Sequence, residues 1–107
     1  VEQALRREAD AILTRIPPSS DVVALCVEGQ MRSSEELALL MAESGRTGRS
    51  LTFLIGSSYG LHPSVKAAAQ FRLSMSPMTF PHHLARVMLL EQIYRGFQIN
   101  AGGCYHK

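Results

Sequence analysis

Three short apolar runs, each separated from the next by a helical pattern, most restrict what this chain can become. Val22-Val23-Ala24-Leu25-Cys26-Val27 is continuous and rich in β-branched residues. Leu51-Thr52-Phe53-Leu54-Ile55 is the second run, and Phe71 to Met75 is the third. A run with no polar alternation is buried on both faces, which is how strands of parallel sheets read. The third alternates, with Phe71, Leu73 and Met75 on one face and Arg72 and Ser74 on the other.

The stretches around these runs read as helices. Leu5, Ala9, Ile12, Leu13 and Ile16 recur at helical spacing, predicting an amphipathic helix over about residues 2–15 that Pro17-Pro18 stops. Glu28-Gly29-Gln30 is read as a turn. Ser33-Ser34-Glu35-Glu36 has the form of a capping box, with Ser33 at the N-cap and Glu36 at N3 of a helix ending near Gly45. Pro63 to Gln70 is a short helix, and Pro81 starts a last one running to about Ile99. The predicted order αβαβαβα specifies an α/β architecture, a mostly parallel sheet flanked by helices. Ligands of such sheets bind beyond the carboxyl ends of the strands. The loops Glu28–Arg32, Gly56–His62 and Ser76–Pro81 lie there.

At 107 residues the chain is enough for one small domain. No apolar run is long enough to span a bilayer, and Val1–Arg7 has no secretory h-region, so a cytoplasmic protein is expected. Cys26 and Cys104 are too few for a disulfide scaffold. Charge divides unevenly. Residues 1–44 carry four arginines against eight carboxylates, whereas residues 45–107 carry seven Lys or Arg against Glu91 alone. A basic half suits a polyanion such as RNA, or balances the acidic half as a solvated face.

On the last helix, Val87, Leu89, Leu90, Ile93, Tyr94 and Phe97 form one broad apolar face at about 100° per residue. Arg86 falls inside that face, either meeting an anionic partner or interface or snorkelling to water. Glu91 and Arg95 are spaced as a surface i,i+4 pair.

Other motifs compete. Gly56-Ser57-Ser58-Tyr59-Gly60 matches the G-x-S-x-G nucleophile elbow, and a triad in the required order would be Ser58, Glu91 and His106. No second oxyanion-hole loop accompanies it. His62, His82, His83, His106 and Cys104 match no common zinc spacing, and the adjacent His82 and His83 are expected to point apart, so no metal is expected. His82, at a helix start, caps, packs or touches substrate. There is no G-x-G-x-x-G or P-loop.

Several segments together resemble one family: Val22–Gly29, Thr52–Gly56 with Tyr59-Gly60-Leu61, Leu73–His82, Leu84-Ala-Arg86, Leu90–Arg95 and Tyr105-His106-Lys107. This pattern resembles the bacterial ribosomal RNA large-subunit methyltransferase H family. The resemblance implies a SPOUT-type α/β fold with a C-terminal trefoil knot, working as a homodimer. It implies methylation of N3 of a pseudouridine in 23S ribosomal RNA with S-adenosylmethionine as donor. Leu25, Gly56 and the loop Met75, Ser76, Pro77, Met78, Thr79 and Phe80 would hold the cofactor. Arg95, Tyr105 and His106 would face the RNA, and Arg86 would sit at or near the dimer interface. His106 is the candidate base, ranked as a substrate-positioning group first.

The chain departs from the family pattern in three places. Ser57 follows Gly56 where a second glycine is usual, and Ala101–Cys104 replaces an Arg-Gly-Glu-Pro-like run before Tyr105, removing one basic residue. Family members also carry further N-terminal residues, including strands of the same sheet; this single domain is expected to lack that part, leaving a sheet edge open. These departures motivate the alternative of a catalytically inactive SPOUT module that binds RNA or dimerises.

Overall fold

The computed structural model describes residues 2–56, 61–103 and 106. The elements follow in the order α1 (Glu2–Arg15), β1 (Ser20–Met31), α2 (Ser34–Arg46), β2 (Ser50–Leu54), α3 (Pro63–Ala68), β3 (Phe71–Ser74) and α4 (His82–Asn100). The strands form a parallel sheet in the order β2-β1-β3. The alternating αβ pattern and the parallel pairing are those expected from the sequence.

Successive residues of β1 point to opposite faces, and each face has its own cluster. Ala24 packs with Ala9 of α1 and with Leu61 and Val65 at and within α3. Val23 packs on the other side with Leu37 of α2 and Leu73 of β3. Val23, Ala24 and Val65 are fully buried. The first half of the apolar run, Val22–Ala24, is thus explained, since helices cover both faces of the central strand there; Val27 at its end is exposed.

The capping box of α2 forms in full. Ser33 Oγ accepts from Glu36 N at 3.0 Å, and Ser33 N donates to Glu36 Oε1 at 2.7 Å. Such a cap contributes roughly 1 kcal/mol to a helix start. α3 begins at Pro63, with the His62 ring as its N-cap accepting from Ser64 N at 3.1 Å. It ends at Ala68, short of the expected Gln70: Ala69 is already extended, and the Gln70 side chain accepts from Val22 N at 2.6 Å.

One expectation needs correction. Glu28-Gly29-Gln30 is not a turn; β1 continues to Met31. Its pairing with β3 slips instead, because Leu25 and Gln30 both register with Leu73. Gly29 permits this by close approach. A Cβ there would lie 2.8 Å from the carbonyl carbon and oxygen of Arg72 and 2.9 Å from that carbon of Leu73.

The last helix buries only part of its apolar face. Leu89 and Gly96 are its buried residues. Gln92 accepts from Ser34 Oγ at 2.5 Å, Gly96 lies against Met41 and Ala38, and Asn100 Nδ2 donates to the Ala38 carbonyl at 3.0 Å. α2 therefore lies along the ridge of Gln92, Gly96 and Asn100, the two helices running in the same direction. Val87, Leu90, Tyr94 and Phe97 remain exposed at 62%, 56%, 52% and 62%. The missing side chain at Gly96 leaves room for Met41 against α4.

Candidate cofactor pocket and tail network

All three strands end at one edge, and a cavity of about 490 Å3 opens there. Its volume falls in the usual range for small-molecule sites. From β1 it takes Leu25, Cys26, Val27 and Glu28; beyond β2 it takes Ile55 and Gly56; beyond β3 it takes Met75, Ser76, Met78, Thr79 and Phe80. Leu61 and Lys66 close one side, and Pro81, His82, His83 and Ala85 close another. The slip in β1 pairing frees residues 26–29 from the regular ladder, which brings Cys26–Glu28 to the cavity.

The loop after β3 is shaped by serines. Ser74 Oγ donates to the Ser76 carbonyl at 3.0 Å, and Ser76 Oγ accepts from Met78 N at 3.0 Å. This local turn carries the chain from the strand into α4. Seven of the eight residues read as cofactor-binding line the cavity together: Leu25, Gly56, Met75, Ser76, Met78, Thr79 and Phe80. Pro77 does not. The sequence reading missed Lys66 and Glu28, which meet as an ion pair. Only tertiary structure brings α3 and the end of β1 together; nothing in their local sequence pairs them.

The Lys66 ammonium beside Glu28 holds its carboxyl below the usual range, helped by the backbone amide of Glu28 itself. Burial, and next the Glu28 carboxylate, push the Cys26 thiol up, so it remains a neutral thiol in the wall. His82 and His83 do not point apart as expected. Their rings lie 4.0 Å apart at 41°, and both residues line the cavity. Among the described residues, no group of three or more His, Cys, Asp or Glu is placed to hold a metal.

Arg95 and His106 meet elsewhere. Arg95 Nη1 lies 3.0 Å from His106 Nδ1, and His106 Nε2 lies 3.0 Å from Glu35 Oε2 at the start of α2. A guanidinium can only donate, so Nδ1 accepts and Nε2–H donates to Glu35. That hydrogen bond, followed by the Glu35 backbone amide, holds the Glu35 carboxyl below the usual range. Arg95 also pairs with Glu91, Nη2 to Oε2 at 2.7 Å, the i,i+4 contact expected from spacing. Glu35 is a member of this network that the sequence reading assigned only to the helix start. Tyr105 lies outside the described residues.

Neither Arg95 nor His106 lines the cavity. Ala85 is the last α4 residue in its wall, and Arg95 is about 15 Å further along the axis at 1.5 Å per residue. Among the described residues, His106 and Glu91 are not paired as a serine-hydrolase triad would pair them. The candidate Ser58 lies outside the described residues, and His106 takes its carboxylate from Glu35, while Glu91 is turned to Arg95 and Gln92.

A family model described as predicted SPOUT methyltransferase matches residues 1–106. The chain is 49% identical over 107 residues to the ribosomal RNA large subunit methyltransferase H of Carboxydothermus hydrogenoformans, covering 99% of this chain and 67% of that protein. It is 48% identical over 103 residues to the protein of the same name from Clostridium novyi, covering 95% of this chain and 65% of that one. The chain therefore spans about two thirds of the length of these relatives.

Proposed function

The chain belongs to the SPOUT methyltransferase family, and from that premise we propose that it methylates N3 of a pseudouridine in large-subunit (23S) ribosomal RNA, using S-adenosylmethionine. The ribosomal substrate follows the names of the relatives, and it carries with it a cytoplasmic location. The observation that carries the proposal is the convergence of Leu25, Gly56 and the Met75–Phe80 loop on one cavity at the carboxyl edge of the sheet.

The lining suits this cofactor. Leu25, Val27, Ile55, Leu61, Met75 and Phe80 offer apolar area to a nucleoside, and the Gly56 backbone can approach a flat base without a side chain between them. Lys66 and Glu28 add one charge of each sign. When bound, the cofactor supplies an electrophilic methyl group on sulfonium sulfur. Everything else falls to the chain. The loop from Met75 to Phe80, bent by the Ser76 turn, would wrap the ligand and exclude water. In this proposal that loop also forms part of a trefoil knot.

N3 of pseudouridine carries a proton and has no free lone pair until it is lost. That proton passes to solvent water before methyl transfer; Arg95 would stabilise the anion that remains, and His106 would hold the substrate. With Nδ1 accepting from Arg95 and Nε2 donating to Glu35, His106 in this arrangement orients rather than abstracts. The 15 Å between the cavity wall and Arg95 along one α4 argues for a homodimer, in which the tail of one chain faces the pocket of its partner. The exposed stripe of Val87, Leu90, Tyr94 and Phe97, with exposed Arg86 beside it, supplies the surface.

The test is transfer of labelled methyl groups to ribosomes lacking this modification, followed by mass mapping of the modified nucleotide. Label at N3 of a single pseudouridine is expected. Binding of S-adenosylhomocysteine without any transfer would support the inactive module instead, and absence of binding would remove the cofactor assignment.

A further inference from the structure

Glu28 and Lys66 are drawn from different parts of the fold. Glu28 comes from the stretch of β1 where pairing with β3 slips, and Lys66 comes from α3. Among the described residues lining the cavity, Lys66 is the only Lys or Arg and Glu28 the only Asp or Glu.

Docking of α3 does not depend on this pair. Val65, the neighbour of Lys66, is fully buried with Ala9, Ala24 and Leu61. The Glu28 side chain is 56% exposed, and pairs so exposed contribute little to stability. An ion pair with little structural work, set in the wall of an otherwise largely apolar cavity, is a place where a ligand can exchange partners.

We propose that the Lys66–Glu28 pair receives the amino-acid end of the cofactor, Lys66 taking the ligand carboxylate and Glu28 the ligand ammonium group. The inference rests on the cofactor reading above and deepens it. A zwitterion entering between the two charges replaces one charge-assisted hydrogen bond on each with another, and it buries no net charge. The apolar lining remains for the nucleoside. The pair therefore selects ligands that carry an amino-acid group over nucleosides that lack one.

Calorimetric titration of the 107-residue chain tests this with three ligands: S-adenosylhomocysteine, its decarboxylated amine, and 5′-methylthioadenosine, which lacks the whole amino-acid end. The unmodified protein should bind S-adenosylhomocysteine about tenfold or more tighter than the other two, the scale of a charged hydrogen bond. Lys66→Met should lose about that factor for S-adenosylhomocysteine and stay within about twofold for methylthioadenosine. Glu28→Gln should move in the same direction. Lys66→Met should cost the decarboxylated amine nothing further, as a double-mutant cycle between side chain and carboxylate requires.

Equal affinity of the unmodified protein for all three ligands overturns the inference and leaves the cofactor reading standing. So does an equal loss of every ligand in Lys66→Met. Equal affinities in the unmodified protein overturn the inference even where a variant fails to fold. Binding of none of the three overturns the cofactor reading itself.

Discussion

Glycines at two positions show how the same residue type carries different constraints. Gly29 faces backbone, since a Cβ there would meet the carbonyl groups of Arg72 and Leu73 at 2.8–2.9 Å. Backbone cannot swing aside, so Gly29→Ala should destabilise by about 1–3 kcal/mol and disturb the wall of the cavity through Glu28. Gly96 faces the end of a flexible side chain: a methyl added there would lie 2.6 Å from Met41 Sδ and 3.6 Å from Ala38 Cα. Methionine repacks readily, and alanine gains about 1 kcal/mol of helix propensity over glycine. Gly96→Ala should therefore stay within about 1 kcal/mol of the parent. Urea unfolding of both variants measures the contrast, and equal losses would contradict it.

At the scale of elements, the start of α2 is the best-defined feature. Ser33→Ala removes the acceptor of Glu36 N and should cost about 1 kcal/mol in denaturant unfolding. The Glu36 carboxyl lies below its ordinary value of 4.5, first because the Ser33 backbone donates to it. A depressed carboxyl contributes stability that is present above that ordinary value and lost as pH falls through the folded one. Glu36→Gln should thus flatten the acid limb of the stability profile, and an unchanged acid limb would argue against the cap. The capping box was legible because its four residues are consecutive and its bonds are local. The end of β1 was not. Gly29 looked like a turn residue, and its use as a point of close approach depends on β3, far away in sequence. α4 is a similar case: its apolar arc is visible by angle, but which part is covered depends on where α2 lies.

For the whole molecule, the exposed stripe on α4 bears on assembly. Leu90→Asp places a charge at 56% exposure within a surface that also holds Val87, Tyr94 and Phe97. In the proposed dimer this should shift sedimentation from dimer to monomer while circular dichroism stays unchanged; a parent chain that sediments as a monomer would contradict the dimer. Residue pattern was enough to establish the order of elements, the parallel sheet, the burial of Val22–Ala24 in β1 and the place of a loop after β3. These depend on periodicity, caps and strand ends, which are properties of residues near one another in the chain. It took the assembled fold to bring Leu25, Gly56 and the Met75–Phe80 loop into one cavity, to set Lys66 against Glu28 in its wall, and to rest His106 between Glu35 and Arg95. Each of those contacts joins segments whose approach is set by the packing of helices on both faces of the sheet, which no local pattern encodes.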